Sequence, residues 1–282
     1  MKLGLDIGYK SMSMAIEKDN KILDFIDKPI SNIKRDCNRA IMDKILMSIH
    51  SVGKSNIKSI GLSLPSKIDA KKGIMFDINN IPYWKGMGLK KILEDEFNTK
   101  VWIDNDVNCF ALGEKYYGMC KGLKDIACIL LGPNVGTSII VNNKIFYENR
   151  NTFSNAKCLS FPSYDCVRIY RSSFVRTMED LNFLIRSYKD EMADDSDHEI
   201  WNELGSLVGR LISILLCNYD PQVIVLGGDL AKSYVLFSEA MDKYLEKFIH
   251  PQVLLNMIIF ASIADHQQAL GAISMSKRLI LV

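Results

Sequence analysis

The chain opens on an apolar run that breaks at a glycine and resumes as a second apolar run: "LGLDIGYKSMSMAIEKDNKIL", beginning at Leu3. The same order of apolar run, glycine corner, second run and Asn-Lys-Ile turn returns in "ACILLGPNVGTSIIVNNKIF", beginning at Ala127. Each copy reads as a β-hairpin that corners at Gly8 or Gly132 and returns over residues 12–16 or 137–141. The separation of the copies is too long for a stacked solenoid and suits a duplicated domain.

Around the hairpins the apolar period switches between strand and helix. Strands are predicted over residues 2–6, 12–17 and 22–27, then an amphipathic helix over about 35–52, with Ile41, Ile45, Leu46 and Ile49 at helical spacing. A buried strand "IKSIGLSL", a helix over Leu89–Phe97, the strand "KVWID" and a helix from near Asn105 to Tyr117 complete the first half. The second half repeats the hairpin and turns helical through "WNELGSLVGRLISILLCNYD". It then runs into the apolar strands "PQVIVLGG" and "LNMIIFAS", and a last helix starts at about Gln267. Strands alternating with helices, led in each half by a hairpin, predict two α/β domains with mixed sheets. The expected division is 1–118 and 119–266, with 267–282 returning to the first domain. Only "NIPYWKGMG" and "YENRNTFSNAKCLSFPSYDC" lack periodicity, and long irregular stretches in compact domains are usually functional or mobile.

Composition narrows the class. With 282 residues and 48% hydrophobic content, two domains can each bury a core. Lys+Arg at 35 nearly balance Asp+Glu at 33, and no basic face stands out, so neither nucleic acid nor an acidic membrane is an expected partner. The first strand begins at once without a signal-like segment, and no apolar run is read as a membrane span; a cytoplasmic protein is expected. Seven scattered cysteines without a CxxC pair suit reduced thiols better than disulfides or a thiolate zinc site.

The richest chemistry lies in "WIDNDVNCFALGE". Asn105 or Asp106 suits a helix N-cap, which accounts for one polar residue. Capping does not account for Asp104, Asn105, Asp106 and Asn108 gathered at one strand-to-helix corner. Ligands of open α/β sheets collect at the carboxyl ends of strands, where a carboxylate can act as general base on a bound hydroxyl. In "VIVLGGDL", Gly227 and Gly228 either form a plain turn or let a flat group such as a purine approach the backbone.

In sequence order, "LDIG", "GLSLPSKID", "NNIPYWKG", "IDNDVNCFALGE", "ILLGPNVGTSIIVNNKIF" and "PQVIVLGGDL" resemble the ROK family of sugar kinases, open reading frames and sugar-responsive repressors. That family lies within the actin/hexokinase/heat-shock-ATPase superfamily, and the resemblance extends over almost the whole chain. It implies two ribonuclease-H-like domains of the actin-like ATPase fold, with the active site in a cleft between them. It also implies a glucokinase-like, Mg-ATP-dependent hexose kinase that forms a homodimer. On this resemblance Asp106 is the base, and Asn80 and Asn105 hold sugar hydroxyls. Asp6 lies near Mg²⁺ through water, Gly8 and Lys10 belong to the first phosphate loop, Gly132 and Gly136 to the second, and Gly227 and Gly228 cover the adenosine.

The chain departs from the family pattern in several places. Asp-x-Gly-Gly-Thr-Lys/Arg becomes Asp6-Ile7-Gly8-Tyr9-Lys10-Ser11, and Gly-Thr-Gly-Val-Gly becomes Gly132-Pro133-Asn134-Val135-Gly136. Pro133 has no N–H to offer a phosphate. Asn155-Ala156-Lys157-Cys158-Leu159 stands where the family has Gly-Glu-x-Gly-His. The zinc loop is reduced to Cys166, with Arg168 where its closing Glu belongs, so no zinc is expected. Nothing precedes Met1 that could form the helix-turn-helix domain of the repressors, so direct DNA binding is not expected. Two functions therefore stand side by side: an ATP-dependent sugar kinase of atypical or low activity, and a non-catalytic relative that binds a sugar or a protein partner.

Overall fold

The structure is a computed structural model that describes residues 1–8, 11–30, 38–53, 57–69, 73–77, 88–146, 164–188 and 197–276. The chain divides into two compact units, Met1–Lys121 with Ala264–Val282, and Gly122–Ile263.

The first unit is built on a five-stranded mixed sheet in the order β3-β2-β1-β4-β7, whose members are β1 (Lys2–Ile7), β2 (Ser11–Lys18), β3 (Lys21–Pro29), β4 (Ser59–Leu64) and β7 (Lys100–Asn105). β1 and β2 are antiparallel, whereas β4 lies parallel to β1 and β7 parallel to β4. One face alternates Leu3, Leu5, Ile7, Ile60, Leu62, Val101 and Ile103. That face buries against apolar residues of α1 (Asn38–His50) and α2 (Leu89–Phe97). A small hairpin, β5 (Lys67–Asp69) with β6 (Ile74–Asp77), is a second sheet that the apolar pattern did not show.

The opposite face is covered by α8 (Gln267–Met275), and the sequence prepares this with two glycines in strand interiors. A Cβ on Gly4 would stand 2.0 Å from Ala269 O, and one on Gly61 2.0 Å from Ala272 O. Glycine within a strand marks such a close backbone approach. α3 (Asp106–Tyr116) lies as close to α8, since a Cβ on Gly271 would meet Cys109 O at 1.6 Å.

The second unit repeats the plan in the order β10-β9-β8-β11-β12: β8 (Ile126–Leu130), β9 (Gly136–Val141), β10 (Lys144–Ile145), β11 (Val223–Gly227) and β12 (Ile258–Ala261). Three strands run antiparallel and two parallel, as in the first sheet. Its core joins β8 and β11 to α4 (Tyr164–Ser187), α5 (His198–Tyr219) and α6 (Tyr234–Phe248). α5 corrects one expectation, because by length and composition alone it suffices to cross a membrane. Its apolar side, including Leu204, Val208, Leu211 and Leu215, is the core of this unit.

Two further expectations give way. "LNMIIFAS" is not one strand: it straddles the end of α7 (Pro251–Asn256) and β12. His250 caps α7 and Pro251 opens it, a start signal that outweighs the apolar run following it. The stretch read as irregular up to Cys166 ends inside α4, which starts at Tyr164.

Candidate functional site

The carboxyl edge of the first sheet carries a row of polar residues. Register places Asp27 opposite Ser13, Ser13 opposite Asp6, Asp6 opposite Ser63, and Ser63 opposite Asp104, one position from each of the five strands. Residues in register share a face, so five polar side chains line one side of the sheet in a single row. They bond in pairs: Ser63 Oγ donates to Asp6 Oδ1 at 2.5 Å, and Ser13 Oγ to Asp27 Oδ1 at 2.5 Å. The matching positions of the second sheet, Thr137, Ile129, Leu226 and Ala261, include no carboxylate. Of the two rows, only that of the first sheet carries carboxylates.

The corner after β7 divides its labour between neighbours. Asn105 is the N-cap of α3, its Oδ1 accepting from Asn108 N at 2.8 Å. Accepting that N–H fixes the amide orientation and leaves Nδ2 as a donor with no partner among the described residues. Buried Asp104 accepts from Asn105 N at 2.8 Å and Asn108 Nδ2 at 2.9 Å. Asp106, relieved of capping, accepts from Val107 N at 2.8 Å and stays half-buried.

Burial pushes the Asp106 carboxyl up to about 7, with the charge of Asp6 and then of Asp104 adding to the effect and the hydrogen bond from Val107 opposing it. Asp6 is raised to about 6 by burial, against the pull of Ser63 and of the nearby His266. Cys109, buried behind them, is driven well above the thiol range and is no nucleophile. Two carboxyl groups that repel each other at a strand end offer hard oxygen ligands, the chemistry that suits Mg²⁺. No cluster of three or more metal-binding side chains exists among the described residues.

The glycine corners differ in what they require. Gly8 closes the first turn by donating to Ser11 O at 2.9 Å, and Lys10 in that turn lies outside the described residues. Gly132 has room for a Cβ, whose nearest neighbour would be Asn134 O at 3.9 Å, and Gly136 opens β9 opposite Leu130. Gly228 has φ +91°, and a Cβ there would meet Leu131 O at 2.2 Å. Gly227 O accepts from Leu131 N at 2.7 Å, so the same stretch of backbone that calls for glycine at 228 is bonded to its neighbour. Asn80, Ala156, Cys158 and Leu159 also lie outside the described residues, as do the side chains of Cys166 and Arg168.

Sequence reasoning missed His266. It precedes α8 with a left-handed backbone (φ +64°), stacks on Phe25 at 4.4 Å and sets Nδ1 3.5 Å from Asp27 Oδ1. Only the fold joins residue 266 to residue 27, and no local motif announces it.

Comparison with known proteins places these features. The chain is 24% identical to a xylose repressor of Bacillus spizizenii over 89% of its own length and 70% of the relative's. It is 22% identical to a glucokinase of Thermotoga maritima over 99% and 98% of the two chains. The crystal structure of a ROK family glucokinase from Streptomyces griseus, in complex with glucose and AMPPNP, superimposes with a TM-score of 0.71 at 19% identity. That match covers 98% of this chain and 99% of that one. The model of the ROK family matches residues 2–150 and 182–278, spanning both hairpins, the Asp106 corner and the Gly227–Gly228 turn, and the chain belongs to the ROK family.

Proposed function

We propose that the chain is an ATP-dependent sugar kinase that phosphorylates a hexose hydroxyl with Asp106 as general base. The observation that carries this reading is a carboxyl at a strand end, half-buried, freed from capping by Asn105 and held at about 7. A base poised near the working pH is what proton removal from an alcohol needs. The hydroxyl proton passes to Asp106 as the hydroxyl oxygen bonds to the γ-phosphorus. The bond from that phosphorus to the β–γ bridging oxygen breaks, and its electron pair leaves with ADP. Asn105 Nδ2 and Asn80 donate to neighbouring hydroxyls and fix which oxygen faces the base. Asp6 would hold Mg²⁺ through water, with Lys10 in the same turn, and the ion would supply charge neutralisation on the phosphates. Gly8, Gly132 and Gly136 shape the phosphate turns, and Gly227 and Gly228 flank the adenosine. Glucokinases among the similar proteins, one crystallised with glucose and an ATP analogue, support this reading. A homodimer working in the cytoplasm without zinc completes the proposal.

A second reading draws on the second hairpin's loop. Pro133 offers no N–H and the Val135 N–H is spent on Asn182 Oδ1 at 2.9 Å, which favours a non-catalytic member that binds a sugar or protein partner. Repressors among the relatives are consistent with sugar binding without phosphorylation.

ADP release measured by a coupled assay over a panel of hexoses and acylamino-sugars separates the two. The kinase reading expects turnover with at least one sugar that disappears in Asp106→Asn. Saturable sugar binding without turnover by the parent would establish the second reading instead.

A further inference from the structure

The loop joining β8 to β9 comprises residues 131–135 between the paired Leu130 and Gly136. Three of its positions have no backbone donor to give. Leu131 N is bonded to Gly227 O at 2.7 Å, Pro133 has no N–H, and Val135 N is bonded to Asn182 Oδ1 at 2.9 Å. A loop that cradles phosphate works through converging N–H groups, and this one is depleted of them.

The residue that occupies Val135 brings a replacement with it. Asn182 lies on α4, and Arg186 is one turn further along the same helical face. Arg186 Nη2 donates to the side-chain oxygen of Asn134, at the apex of the loop. The helix beneath is firmly seated, since Leu181, Leu184 and Ile185 are buried in the core of the second unit, so the guanidinium rises from a rigid base. The side chain itself is exposed, and no carboxylate pairs with it among the described residues. A guanidinium has five donors in a planar fork, and the bond to Asn134 uses one. The remaining donors carry a full positive charge at the loop, the chemistry that grips phosphate oxygens in pairs.

We propose that Arg186 is a phosphate-binding residue, a side-chain cation taking over at the second hairpin's loop the role of the missing backbone donors. This rests on the nucleotide-dependent reading above, and its ligand is the diphosphate of the nucleotide. Asn134 orients the guanidinium and Asn182 holds the loop at the matching height.

Calorimetric titration of the full chain with ADP and, separately, with adenosine tests the assignment. Charge-assisted hydrogen bonds of this kind are worth about 10–100-fold in affinity. Arg186→Ala is expected to weaken ADP by that factor, leave adenosine within about twofold and keep the melting temperature of the parent, while Arg186→Lys recovers part of the loss. Equal weakening of ADP and adenosine, or an unchanged ADP affinity in Arg186→Ala, would overturn the phosphate role and leave the kinase reading standing. A parent that binds neither compound would overturn both.

Discussion

At the scale of single residues, Asp106 combines two demands that oppose each other. Its carboxyl and that of Asp6 sit above the ordinary carboxylate value of 3.8, at about 7 and about 6. The folded chain therefore binds protons more tightly than the unfolded one. The destabilisation is absent below roughly pH 4, grows as pH climbs through the raised values and is complete above them. A tenfold difference in proton affinity between folded and unfolded chains corresponds to about 1.4 kcal/mol, of which a half-buried group in contact with water retains a fraction. Asp106→Asn should thus raise stability by about 1–2 kcal/mol at pH 8 and by nothing near pH 4, as read by denaturant melts at the two pH values. The same substitution should lower kcat by about 10²–10⁴ and leave sugar binding nearly unchanged. In the parent, kcat/KM should rise about tenfold per pH unit up to about 7 and then level off. A variant that loses stability at pH 8 would show that the carboxylate serves the fold. The corner holding Asp106 was legible because its four polar residues lie within one short stretch. His266 and Arg186 were not, since each meets its partner only through the tertiary fold.

At the scale of elements, the apolar period located the strands at the centre of each sheet, where burial on both faces leaves a continuous run such as Ile60–Gly61–Leu62. It failed where capping outweighs periodicity, as at α7, and where an element is too short to show a period, as in β5 and β10. The interior glycines of β1 and β4 were visible in the sequence, yet what they admit, the backbone of α8 at Ala269 and Ala272, lies at the far end of the described chain. Backbone cannot retreat as a flexible side chain can, so Gly61→Ala should cost about 3 kcal/mol or more, in the upper range of overpacking. Gly132→Ala, with open space around the added methyl, should stay within about 0.5 kcal/mol. Thermal melts of the two variants test the contrast, and a Gly61→Ala protein as stable as the parent would mean that α8 does not press on the sheet.

At the scale of the whole molecule, both sheets place three antiparallel strands beside two parallel ones, and only the first carries carboxylates at its strand ends. The repeated glycine corner made the duplication legible, whereas the concentration of acid–base chemistry in one copy emerges from register across five strands. The units also differ in how the chain builds them. Gly122–Ile263 is one continuous stretch with its own core, but the first unit needs Ala264–Val282 to cover its sheet. Leaving out 264–282 removes Leu270 and Ile273 from their packing on Ala15 and opens the face on which Gly4 and Gly61 lie. Domains with an uninterrupted core generally fold as units, so a chain ending at residue 263 should keep a cooperative transition for the second unit and lose that of the first. Hydrogen exchange should then find protected amides in β8, β9 and β11 and none in β1, β4 and β7. During synthesis the order follows: the second unit can complete its core first, and the face on which Gly4 and Gly61 lie is covered only once α8 has been made. Protection retained in β1 and β4 of the truncated chain would show that the first sheet stands without its last helix, and that the close approach of α8 adds rigidity rather than the fold itself.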